Sequence, residues 1–542
     1  MKLIALRQVP VLLGWCALLF AAPPAVSQPA ADLAWALHSE PGTLDPAKVD
    51  DQAAESVRFV TAGVLLRVNR MTQQPEPALA ERWDVSADGR TVVLHLRAGL
   101  RFSDGSPLSA QDAVASLRRV LDPVTAAPVA DEFLQPRDVA VDSPGPLLVR
   151  LRLPKRLVSL AKVLDQVAIT PAGRAATAEV TAGPFVVASY HRGEYLLLQR
   201  NPNYWKHDAK GKQLPYLRTM RLDIVANRQM ERLRFARGQY GLMDSLLPDD
   251  FEELVRGNGG AHDLGASLNT EQLWFNQAPA AKLPAFEKAW FTNTAFRQAV
   301  SLAIHRNDLA RIAYKTHATP AYGFVSPSNR TWFSPAGQAP HEDVQRARQL
   351  LQTGGFRLSG KQLVDAGGNP VRFTILTNAG NHPRELMATL IAQDLSALGM
   401  EVSTVKLDFP ALIERLMHTS DYEAALLGLS NVDPDPASMT NVWMSSSANH
   451  QWNPSQKTPA TAWEAELDQQ VARQAAATDP AERKRAVDRM QSIVAEQQPF
   501  IYLVYPNQLC AVSPLLAGVS LSVLPPTVLS AVDTVGSRAE AR

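Results

Sequence analysis

Cysteine is nearly absent. Only Cys16 and Cys510 occur in 542 residues. If the first of them is lost by processing, no intrachain disulfide can form and stability must come from burial of a core, which this length permits. Charge of one sign is also lacking: 54 Lys and Arg face 53 Asp and Glu. That balance excludes the basic excess of a nucleic-acid-binding chain and leaves little long-range steering of charged partners. Long hydrophobic runs are missing as well. The most apolar block, Val9 to Ala22, is short for a bilayer span, and no later stretch is a better candidate.

That block has the flanks of an export signal. Lys2 and Arg7 precede it, and Pro23-Pro24 and Ala25-Val26-Ser27 follow. A basic start, a short apolar centre and small residues at the cut predict cleavage near Ser27, so that residues 1–27 are removed and an exported, soluble protein remains. Cys16 would be a lipid-attachment point only in a different kind of signal, and the bulky Trp15 before it fits that pattern poorly.

Motifs for catalysis are thin. Gly428-Leu429-Ser430-Asn431-Val432 lacks the last glycine of a nucleophile elbow. No GxxxxGK[ST] loop and no HExxH is present. The 11 histidines are scattered, and His341-Glu342 and His382 have no second ligand at helical or hairpin spacing. The sequence therefore predicts neither an enzyme nor a metal or cofactor site.

What is present is an α/β pattern organised around Ala424 to Pro436, AALLGLSNVDPDP. An apolar run that breaks into a polar turn is the form of a buried strand reaching a ligand crevice, although an ordinary core strand followed by a loop has the same form. Earlier, Trp83-Asp84-Val85 and the alternating Val92, Leu94 and Leu96 flank Ser86-Ala87-Asp88-Gly89, a hairpin signal. Ser109 with Asp112 predicts a capping box opening a helix over Ala113 to Val120. Phe185 to Tyr190 and Tyr195 to Arg200 form a second hairpin. Val371 to Leu376, the stripe Met387, Ile391, Leu395 and Leu398, and Glu401 to Leu407 read as a parallel βαβ unit. Asp479-Pro480 caps a helix, and Phe500 to Tyr505 is a last buried strand.

Several of these stretches together resemble the family 5 extracellular solute-binding proteins, the peptide-, dipeptide- and nickel-binding receptors of ABC importers. They are EPGTLDP at Glu40 to Pro46, ALAERWDVSADGRTVVLHLRAGLRFSDGSPLSAQDAVASLRRVLDP ending at Pro123, Asn201-Pro202-Asn203-Tyr204-Trp205, and Phe296-Arg297-Gln298-Ala299 with Ala303-Ile304-His305-Arg306. Thr125-Ala126-Ala127-Pro128 and Thr319 to Gly323 lean toward the oligopeptide-binding branch. The resemblance implies an α/β, periplasmic-binding-protein type II fold: two lobes, a two-crossing hinge and a subdomain inserted in the first lobe. Mapped onto this chain, residues 32–58, 181–267 and 503–542 would form lobe I, 59–180 the inserted subdomain and 268–502 lobe II. Crossings would lie near Asn269–Phe275 and Pro499–Val504. The implied function is capture of a peptide or peptide-like solute in the interlobe cleft, with delivery by a periplasmic monomer to an ABC permease complex in the membrane.

The same resemblance implies a site. In peptide-binding relatives a second-lobe Asp takes the ligand's amino end, after a Gly-Trp pair and shortly before a Pro. Aligned on Gly428 and Pro436, that position is Val432, the Trp is Leu429, and a basic residue two positions before the Gly is Leu426. Ser430, Asn431 and Asp433 complete the loop, and a one-residue shift would bring Asp433 to the anchor position. In the plainer reading, Asp433 and Asp435 are turn and N-cap residues. Further wall positions are Asp50, Asp51 and Gln52 from the first lobe, Val129 from the insert, and Asn378 and Phe409 from the second lobe. With its anchors replaced, the cleft also suits a solute with no free amine: a blocked peptide, an opine-like compound or a metal chelate. A sensor or chaperone with this fold and no transport role is the rival outside uptake.

Overall fold

The computed structural model describes residues 31–132, 138–157, 159–174, 176–257, 260–431 and 433–538. The expected export signal, Cys16 and Val432 lie outside them.

Three sheets organise these residues. The first has four strands. Leu33–Leu37 lies parallel to Thr219–Ile224, followed by the hairpin Tyr195–Arg200 and Phe185–His191. Leu33, Phe185, Leu196 and Leu222 pack beneath it. The second sheet is antiparallel throughout, in the order Ala80–Val85, Thr91–Leu96, Leu148–Arg152, Ala140–Gly145. The strand Thr91–Leu96 alternates as its sequence predicts. Val92, Leu94 and Leu96 are buried on Leu117 and Val120 of the helix Ala110–Leu121, which starts at the predicted capping box. Because the first sheet's strands come from both sides of this unit in the chain, the second sheet is an insertion with its own core.

The third sheet is the largest. Its central path runs Leu242–Met243, Ile501–Val512, Thr270–Phe275, Ala424–Leu429, Arg372–Asn378, Glu401–Leu407. All of Thr270–Phe275 is buried, because helices cover both faces. Leu273, Phe275, Ile375 and Leu426 face one core, and Trp274, Leu427 and Tyr502 face the other. Arg372–Asn378 and Glu401–Leu407 pair in parallel around the helix His382–Ser396, the predicted βαβ unit. Gly399 follows the helix and leads into the second strand at φ +86°, where its neighbour is the backbone of Lys361 and Leu363.

The last strand runs on beyond Tyr505, the end expected from its apolar residues. It covers Ile501–Val512. Its first half pairs with Thr270–Phe275 and Ala318–Pro320, and its second half with Ala261–Ala266 and Leu242–Met243. Partners change between Pro506 and Asn507. His317 sits at this change. Its Nδ1 lies 2.7 Å from Asp263, its Nε2 lies 2.9 Å from Glu252, and Asn507 Nδ2 donates to both Asp263 oxygens at 3.0 Å.

At the far end of the third sheet, Glu287 on the helix Ala285–Thr292 meets Glu423, whose Oε2 accepts from Thr374 N. Burial, reinforced by the Glu423 charge, pushes the Glu287 carboxyl from 4.5 up to about 7. The folded value lies above the unfolded one, so the folded chain binds the extra proton and its stability falls as pH rises from 4.5 toward 7. Glu287→Gln should remove that decline. In thermal melts across this range the variant should hold its melting temperature while the parent's drops.

Candidate functional site

The carboxyl ends of Arg372–Asn378, Glu401–Leu407 and Ala424–Leu429 form one rim of the large sheet, the position where open α/β sheets present ligands. The strand Ala424–Leu429 is fully buried through Leu427 and partly exposed only at Gly428 and Leu429. Beyond it Ser430 is exposed. Asn431 donates its N–H to Asn269 Oδ1 at 2.9 Å and accepts from Asp433 N at 3.3 Å. Asn329 Nδ2 donates to Pro434 O at 2.7 Å, tying the segment after Val325 to this loop.

Gly428 is explained by what lies over it. Arg384, in the first turn of His382–Ser396, makes a bidentate pair with Glu271 (Nε to Oε2 at 2.7 Å, Nη2 to Oε1 at 3.0 Å) and donates to Asn378 Oδ1 at 3.0 Å. Tyr314 Oη donates to Glu271 Oε1 at 3.2 Å. Glu271 is the residue opposite Gly428, and a Cβ there would stand 2.4 Å from the guanidinium. A side chain at 428 would displace the pair.

The expected site residues separate into groups. Asn378, Leu429, Ser430, Asn431 and Asp433 come together on the rim. Phe409 lies at its edge, 55% exposed in the first turn of Phe409–Ile413 and just past the end of Glu401–Leu407. Leu426 is corrected. It is opposite Leu273 in register and fully buried in the core, so its side chain cannot meet a solute. Val129 likewise packs in the core of the inserted sheet. Asp51 is the N-cap of Gln52–Thr61, accepting from Ala54 N at 2.8 Å and Gly42 N at 2.9 Å. Asp50 and Gln52 flank it on the surface. A basic residue does stand beside Gly428, but it is Arg384, which comes from the helix His382–Ser396 and was not among the expected residues. Its signal was the Asn381 N-cap and Pro383, which fix a helix start beside the rim.

Asp435 is the predicted N-cap, accepting from Ala437 N, and also holds Arg483 at 2.8 and 2.5 Å. Asp433 receives Asp435 N on Oδ1 at 2.9 Å and forms an ion pair with Lys162 of the inserted unit. Burial raises the Asp433 carboxyl above its ordinary range, with the Lys162 ammonium acting against that rise. A second bridge runs from Gln73 Nε2 to Ser328 O at 2.8 Å. The rim thus faces the inserted unit across these two contacts. No group of three His, Cys, Asp or Glu with metal-binding geometry occurs among the described residues.

The sequence profile of the bacterial extracellular solute-binding proteins, family 5 (middle region), matches residues 74–451. The chain belongs to this family. It is similar to a probable ABC transporter-binding protein of Deinococcus radiodurans, 26% identical over 72% of this chain and 71% of that one. It is also similar to the periplasmic oligopeptide-binding protein OppA of Escherichia coli, 23% identical over 76% of each chain. Among solved structures, the ABC transporter substrate-binding protein CtaP of Listeria monocytogenes superimposes with a TM-score of 0.77 at 20% identity, over 93% of this chain and 99% of that one. The fold is the two-lobed α/β type II fold of periplasmic binding proteins. Among the described residues no helix is long and apolar enough to cross a membrane.

Glu271→Ala would leave Arg384 buried beside Gly428 without its counter-charge. Urea unfolding should show a loss of about 3 kcal/mol. The double variant Glu271→Ala, Arg384→Leu should recover most of that loss, since it buries no unpaired charge.

Proposed function

We propose that this family 5 receptor captures a peptide or peptide-like solute in the cleft between the rim of its large sheet and the inserted unit that this rim faces, and delivers it to an ABC permease from the periplasm. One observation carries the reading. The rim that faces the inserted unit presents neutral hydrogen-bonding groups (Asn378, Ser430, Asn431) beside apolar ones (Leu429, Phe409). Such a surface can hold an extended backbone through polar contacts while leaving side-chain identity open. In this reading residues 32–58, 181–267 and 503–542 act as lobe I, 59–180 as its insert and 268–502 as lobe II. The protein is a monomer with no covalent chemistry of its own. Solute docks on one lobe, the crossings flex, and the closed form is what the permease engages. The change of strand partners at Pro506–Asn507 is a natural place for one crossing to bend.

A second reading, a solute without a free amine, is favoured by the charges of the rim. Arg384 is held by Glu271, Asp435 by Arg483, Glu385 by Lys406 and Asp433 by Lys162. A charged ligand end would have to compete with one of these pairs, and an ionised group taken out of water without a partner is costly.

Thermal shift separates the two. A ligand at a hundred times its Kd adds about 2.7 kcal/mol to stability. Unmodified peptides should raise the melting temperature in the first reading, and only N-blocked peptides in the second. Native mass spectrometry of the purified protein should show the co-purifying solute. A panel of both peptide kinds that shifts nothing, with no peptide-like mass retained, would remove the proposal.

A further inference from the structure

Lys162 and Asp433 belong to different bodies. Lys162 is on the helix Leu160–Gln166, whose Leu160, Val163 and Leu164 pack in the core of the inserted sheet. Asp433 follows the strand Ala424–Leu429 of the large sheet. Their pair therefore bridges the cleft, with side chains only 24% and 18% exposed. The neighbouring acid gives no alternative, because Asp435 is already committed to Arg483. Gln73 and Ser328 bridge the same two bodies, and Asn329 ties the Ser328 segment to the Asp433 loop.

We propose that Lys162 is a built-in counter-ion: its ammonium occupies the place on Asp433 that a captured amine would otherwise have to fill, so the cleft closes without requiring a cationic solute. The physical reason is the cost of burying one charge alone. Asp433 cannot be drawn into the closed cleft as a bare carboxylate. In many binding sites the ligand supplies the missing charge. Here a residue of the opposing wall does so, and the captured solute is one that carries no primary amine at this end. Lys162 is thus a specificity-determining residue. The inference rests on the cleft reading above, but its test needs no solute, so the two can fail separately.

The test measures closure in the ligand-free protein. Spin labels at Val124→Cys and Leu358→Cys, positions 89% and 56% exposed on the two bodies, report the distance across the cleft. The labelled parent should be mainly closed. Lys162→Ala should lower the closure equilibrium constant by roughly tenfold. Millimolar n-propylammonium, the group deleted by the substitution, should restore it, whereas tetramethylammonium, with the same charge and no N–H, should not. Asp433→Asn should open the cleft to the same extent and should not respond to n-propylammonium. The proposal is overturned by a parent that is already open, by a Lys162→Ala variant as closed as the parent, or by the two cations acting alike.

Discussion

One strand ties the molecule together. Ile501–Val512 is a single extended segment whose first half is hydrogen-bonded to the core of the large sheet and whose second half is bonded to strands next to the first sheet. Neither body can complete its hydrogen bonding without it, and an unpaired buried backbone group is expensive. Each half is therefore tied to its own partner strands, which change between Pro506 and Asn507. The His317, Asp263, Glu252 and Asn507 cluster lies at that change and links the strands that meet there.

The rim follows a second constraint, that charges near a closing surface must be partnered. Arg384 is held by Glu271, Asn378 and, through Glu271, Tyr314. This network lies directly over Gly428 and keeps the strand end flat against the helix His382–Ser396. The result is a strand end at which the Arg384 and Glu271 charges are paired.

Much of the architecture was legible because it is local. The hairpin at Ser86 to Gly89, the Ser109–Asp112 capping box and the parallel βαβ unit depend on turn chemistry, caps and periodicity within about 30 residues. The rim was legible where the apolar run gives way to Ser430 and Asn431. Two kinds of reading failed. Leu426 was assigned by its offset from Gly428, but positions two apart share a face, and below Gly428 that face is core. Arg384 and Lys162 were missed because each comes to the loop from a distant helix. No local pattern encodes a pairing between residues 271 positions apart, as Lys162 and Asp433 are. Asp51 was read as a wall residue because an acidic residue before a helix looks the same whether it caps or binds; its two short bonds to Ala54 and Gly42 decide for the cap.

The central claim is that solute is held between the two bodies. It is tested most directly by locking them together at Gln73 and Ser328, which already touch. In a Gln73→Cys, Ser328→Cys variant a short bis-maleimide can join the two, and Cys510 does not compete, because burial pushes its thiol up to about 12. If the solute lies in the cleft, cross-linking before the solute found by native mass spectrometry is added should abolish its binding, and cross-linking afterwards should trap it through dialysis. Unchanged binding and release in the locked protein would contradict the account.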